Sequence, residues 1–164
     1  RWLLHTNDEP IQQANGDWLV QAQPQATTQQ PAQLWVSTLL PQQAIAITLG
    51  GTGFDFYVDG KNYDEAGKIA TIVNKQRHPK PEPGQWRLEI MPDRQQLSDE
   101  FLVLLKPALD QQPNLTQQAF NSQGEQHQLR LSRPDYQLTL TIGKQLIQLQ
   151  QQQGRQEKNW QFER

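Results

Sequence analysis

The sequence predicts an all-β fold, an antiparallel β-sandwich, and three observations carry that prediction. Apolar residues alternate with polar ones at period two through most of the chain. No segment repeats apolar residues at i, i+3, i+4 and i+7 over three turns, the pattern a packed helix needs. Gly, Pro, Asn and Asp punctuate the apolar runs about every ten residues, as in sandwiches.

The elements follow in order. Trp2 to His5 opens a strand, and Asn15-Gly16 is a tight-turn signal before Asp17-Trp18-Leu19-Val20-Gln21-Ala22, because both turn residues tolerate positive φ. Trp2 to His5 is the expected hairpin partner or neighbour of that strand. Gln23 to Pro31 is a Pro-, Thr- and Gln-rich loop. Strands resume at Gln33 to Ser37, at Thr38 to Leu40 closed by Pro41, and at Ala44 to Leu49. Gly50, Gly51 and Gly53 suit a corner before Phe54 to Val58, which Asp59-Gly60 ends in a turn.

Asn62 to Gly84 is the longest stretch without strand character, and loops of that length in compact domains are usually functional or disordered. Trp86-Arg87-Leu88-Glu89-Ile90 alternates, with Trp86, Leu88 and Ile90 inward and Arg87 and Glu89 outward. Phe101 to Leu105 is continuously apolar, as for a strand buried on both faces, and these two strands are expected at the centre. Further strands are expected at 116–121, 127–132, 136–142, 145–150 and 159–163, with Gly124, Gly143 and Gly154 at the turns. Length argues for one domain over 1–164, with its weakest joint at 107–113.

Composition narrows the function. Gln fills about a fifth of positions, and apolar residues punctuate it at strand spacing even around Gln150 to Gln153, which reads as solvated strand faces and turns. Amide faces of this kind can also hydrogen-bond sugar hydroxyls. The formal charge of −2 argues against a nucleic-acid partner, which calls for a basic face. No run is long and apolar enough for a membrane span, and Arg1-Trp2-Leu3-Leu4-His5 lacks a signal-type apolar core, so the chain is expected to be an excised part of a longer protein. Without Cys there is no disulfide, thiolate metal site or thiol nucleophile.

No catalytic or metal motif emerges. Gly50-Gly51-Thr52-Gly53 lacks the Lys-Ser/Thr of a phosphate loop and precedes a strand. His5, His78 and His127 are far apart in sequence, and no Gly-x-Ser-x-Gly elbow is present. No cofactor is expected. Asn7-Asp8-Glu9, or Asp55 with Asp59, offers oxygen ligands of the kind Ca²⁺ takes, and turn-forming acidic residues give the same pattern without metal.

The densest signal is basic. Lys61, Lys68, Lys75, Arg77 and Lys80, with the His78 imidazole, fall within twenty residues, and Tyr63 lies among them. Such a loop meets sulfate or carboxylate groups through charge-assisted hydrogen bonds, Arg77 bidentately, while Tyr63 offers a ring for stacking on sugar. A solvated charged loop has the same composition. A secondary basic set is Arg130 with Arg133, and Lys144 at a turn; Arg130 shares a strand face with Ser132, opposite Leu129 and Leu131. The Trp residues are either core or sugar platform.

Several of these segments carry a resemblance. The run Gly50 to Tyr63, then Pro83-Gly84-Gln85-Trp86-Arg87-Leu88-Glu89-Ile90-Met91-Pro92 and Asp99 to Leu105, resembles the carboxyl-terminal β-sheet region of heparinase II/III-like polysaccharide lyases. Trp2-Leu3-Leu4-His5 with Glu9-Pro10, and Leu39-Leu40-Pro41, fit the same ordered series, which covers about residues 1–108. In those enzymes Tyr and His from other domains do the chemistry, and no position here matches that set. The resemblance implies a secreted or periplasmic bacterial protein with affinity for an acidic polysaccharide, a glycosaminoglycan with chondroitin sulfate the first guess.

The leading expectation is thus a non-catalytic carbohydrate-binding module using the Lys61 to Lys80 loop and adjacent strand faces. The alternative is a structural accessory domain beside the catalytic domains of a parent lyase. A third reading is a small complete lyase with Tyr63 and His78 as its acid–base pair.

Overall fold

The computed structural model describes residues 1–22, 31–50, 57–58, 60–63, 68–69, 86–95, 97–109 and 117–163. They form an all-β, sandwich-like fold of antiparallel strands without a helix among the described residues. The chain expected as one domain divides into two compact units, Arg1–Pro113 and Asn114–Arg164, at the end of the 107–113 joint.

The first unit holds β1 (Trp2–Thr6), β2 (Ile11–Gln12), β3 (Trp18–Gln21), β4 (Ala32–Leu40), β5 (Ala44–Gly50), β6 (Tyr57–Val58), β7 (Lys61–Asn62), β8 (Trp86–Pro92) and β9 (Leu102–Leu109). One sheet runs β1-β8-β5 and another β2-β3-β4-β9, with β6 and β7 as a separate pair. The core lies between the two larger sheets. Trp18 and Val36 from one meet Leu88 and Ile90 from the other, and Trp2, Leu4, Leu34, Ala44, Ala46, Phe101 and Val103 pack around them. Val36, Leu88 and Ile90 are fully buried.

Four expectations change. The hairpin at Gly16, whose φ of 86° favours glycine, joins β3 to β2, while Trp2–Thr6 pairs with β8 in the other sheet. Thr38 to Leu40 continues the strand from Gln33 as one β4, with a register irregularity between Thr38 and Leu40. β8 is central, as expected, but β9 is the edge of its sheet and exposes Leu105. Leu105 shows that an apolar run alone does not place a strand at the centre.

The fourth change concerns Arg87 and Glu89. By register they lie on the face opposite the core, beside His5, Leu49, Leu3 and Ile47, yet both are buried. Arg87 Nη2 reaches Glu89 Oε1 at 2.6 Å, and Arg1 reaches the other carboxylate oxygen at 3.3 Å. Alternation tells which residues share a face, not how far the neighbours of each side chain shield it, since Leu3 and Ile47 on the same face are exposed. A second internal ion pair spans β4 in the other sheet, from β9 to the residue that leads into β3, with Lys106 Nζ donating to Asp17 Oδ2 at 3.0 Å and to Ser37 Oγ at 2.6 Å.

The second unit is one sheet of consecutive hairpins: β10 (Gln117–Gln123), β11 (Gln126–Arg133), β12 (Tyr136–Ile142), β13 (Leu146–Gln153) and β14 (Gln156–Glu163), in that spatial order. Gly124 and Gly154 open two-residue loops with φ of 59° and 56°, where a Cβ is strained, so glycine sets these hairpins. The Gln tract Gln150 to Gln153 is the end of β13.

Candidate functional site

The register of the second sheet sorts its side chains into two unlike faces, because directly opposed residues in antiparallel strands point the same way. One face carries Phe120, Leu129, Leu140, Leu149 and Trp160 in a row, flanked by His127, Ile142, Ile147 and Phe162 and by Leu131 and Leu138. Leu129 and His127 are buried there. His127 Nδ1 lies 2.9 Å from Ser122 Oγ and its ring stacks near Phe120, so it has a structural setting.

The opposite face is polar in three successive rows. The first holds Ser132, Gln137, Gln152 and Glu157, the second Ala119, Arg130, Thr139, Gln150 and Asn159, the third Asn121, Gln128, Thr141, Gln148 and Gln161. A groove of about 500 Å³ crosses this face, lined by Gln128, Arg130, Gln137, Thr139, Thr141 and Gln148, and further towards β14 by Gln150, Asn159 and Gln161. β-branched Thr139 and Thr141 sit on the central β12, where they are short and stiff, while longer amides on either side form walls.

This surface offers both donors and acceptors. Each amide supplies one carbonyl oxygen and two N–H donors, each threonine a hydroxyl that does both. Arg130 is exposed, and its Nη2 donates to Gln128 Oε1 at 3.5 Å, which steers the guanidinium along the face. At the far end Gln150 Nε2 and Asn159 Nδ2 donate to Glu157 Oε1 at 2.8 and 3.0 Å. The hydrogen bonds from Asn159 and then Gln150 hold the Glu157 carboxyl below its ordinary range, so it is an anion at neutral pH. The polar face therefore carries a cation on β11, within the groove, and a carboxylate on β14, beside the groove and bonded to two of its lining amides.

Of the basic loop, Lys61 stands exposed on β7, Tyr63 is half-buried in a bridge to Ile69, and Lys68 is exposed. Lys75, Arg77, His78 and Lys80 lie outside the described residues, as do Asp55 and Asp59. The secondary set separates. Arg130 lines the polar groove, whereas Arg133 falls on the other face, its guanidinium 5.0 Å over the Tyr136 ring and its Nε 3.5 Å from Asp135. Lys144 pairs with Glu125 at 3.4 Å on the surface. Arg133 is three residues from Arg130, and an odd separation puts the two on opposite faces.

Sequence reasoning did not single out Gln128, Gln137, Thr139, Thr141, Gln148, Gln150, Asn159 and Gln161 as one surface. Their signal was the period-two spacing of Gln and Thr; what converts it into a surface is the hairpin register, which two-residue loops hold without slippage. Of the Trp residues, Trp18 and Trp35 are buried, Trp2 packs on the core, and Trp160 is exposed. Among the described residues no group of three or more His, Asp or Glu is placed to hold a metal ion. Comparison of the chain with protein-family models, with curated proteins and with solved structures finds no match.

Proposed function

We propose that the chain is a non-catalytic carbohydrate-binding module that holds an acidic polysaccharide on the polar face of the five-stranded sheet. The observation that carries this reading is the groove of about 500 Å³, in which amides and hydroxyls on four adjacent strands surround one arginine. Sugar hydroxyls ask for donors and acceptors together, which amides and threonines supply, and a uronate carboxylate or a sulfate asks for a guanidinium. The basic residues Lys61 and Lys68, exposed in the first unit, add positive charge for the same class of ligand. A glycosaminoglycan such as chondroitin sulfate supplies hydroxyls and anionic groups in alternation.

The test is calorimetric titration of the chain with chondroitin sulfate, hyaluronan, heparin and alginate at low and physiological salt. Saturable binding that weakens with salt and with Arg130→Ala supports the reading; the absence of binding across the panel removes it.

A second reading, an accessory domain that docks on the catalytic domains of a larger lyase, draws support from Leu3, Ile45 and Ile47, all exposed on one face of the three-stranded sheet. It predicts self-association that Ile45→Ser with Ile47→Ser relieves, measured by light scattering.

A further inference from the structure

We propose that β14 is the docking edge for a second copy of this chain, so that two five-stranded sheets join about a two-fold axis into one continuous antiparallel sheet. Among the described residues β14 is paired to β13 on one side only, and all eight of its residues are exposed. Its outer backbone N–H and C=O groups form a template for another strand. Along the apolar face, exposure rises from 5 % at Leu129 to 38 % at Trp160, with Phe162 beside it at 52 %. These two aromatic side chains lack the neighbour that a strand added outside β14 would supply.

Charge selects the occupant and the register. In two-fold antiparallel pairing, residues equally spaced before and after the axis face each other. Centring on Glu157 or Lys158 opposes that residue to itself, and centring on Trp160 opposes Glu157 to Glu163. Only centring on Asn159, among residues 157–160, avoids every like-charge pair. It sets Lys158 against Trp160, a cation over an indole, and Arg155 in the preceding turn against Glu163, each twice by symmetry. A strand of self-complementary charge fits a second copy of itself.

The union also extends the groove. Asn159 and Gln161 line it at the sheet edge, so across the axis the polar rows continue onto the second copy. The two Arg130 side chains then stand seven strand spacings apart, about 34 Å.

Sedimentation velocity on the full chain from 1 to 500 µM, roughly the range in which weak strand pairing shows, tests this. The expected result is a monomer–dimer equilibrium. Arg155→Glu alone and Glu163→Arg alone should each weaken association about tenfold, and the two together should restore it. Asn159→Lys, which sets two ammonium groups at the axis, should abolish the dimer. Because these side chains are exposed, far-UV circular dichroism should be unchanged in every variant. A chain that stays monomeric throughout, a dimer indifferent to the single changes, or a double variant that fails to recover would each overturn the proposal.

Discussion

Arg130 and Glu157 show how single residues define the candidate surface. Arg130 is the one cation among the residues that line the polar groove, so under the proposed function it is the one strong partner for a ligand carboxylate or sulfate there. A hydrogen bond to a charged group contributes about 1.5–3 kcal/mol, so Arg130→Ala should lower affinity for an acidic polysaccharide by roughly ten- to hundredfold, read by calorimetry. Arg130→Lys should recover only part of it, since an ammonium cannot bind bidentately. For Glu157 the sign is fixed by its depressed pKa. The hydrogen bonds from Asn159 and Gln150 favour the anion, so their stabilisation is present above the ordinary glutamate range and is lost as pH falls through the lowered value. A carboxyl-detected NMR titration should place Glu157 below the chain's exposed glutamates, and Asn159→Ala should return it towards them.

At the scale of elements, the alternation of apolar and polar residues was enough to find nearly every described strand, because a half-buried strand must alternate. What alternation could not supply was partnership. Trp2–Thr6 pairs with β8, eighty residues away, rather than with the hairpin next to it, because long-range sheet order depends on how whole faces are buried. Arg87 and Glu89 were legible as sharing a face but not as buried. Arg130 was legible as facing away from Leu129 and Leu131, but its companions were not, since Thr139, Gln148 and Asn159 join it only through three hairpin registers. The two sheets of the first unit also carry their own tests. Leu88→Ala should cost about 2–5 kcal/mol in denaturant unfolding, because it removes a fully buried side chain from the core between the sheets. Glu89→Ala should cost about 3–5 kcal/mol, leaving the Arg87 guanidinium buried without the carboxylate it meets at 2.6 Å.

For the whole molecule, composition and site point the same way. A chain of net charge −2 has no general attraction for polyanions, so the proposed binding of an acidic polysaccharide rests on local groups. That separates the proposal from nonspecific electrostatic adhesion: affinity should fall with salt only as far as a few charges allow, and the amide contacts should persist. The division into Arg1–Pro113 and Asn114–Arg164 gives a further handle, since the apolar core just described belongs to the first and the polar groove to the second. We propose the polar face of the five-stranded sheet as the surface that holds the polysaccharide. The most direct measurement is the affinity of the intact chain for chondroitin sulfate, compared with that of a variant carrying Arg130→Ala, Gln148→Ala and Thr139→Val, each confirmed folded by circular dichroism. The parent chain should bind saturably and the variant should lose at least about a hundredfold in affinity, as three removed hydrogen-bonding groups imply; equal affinity in the two would rule out the polar face as the binding surface.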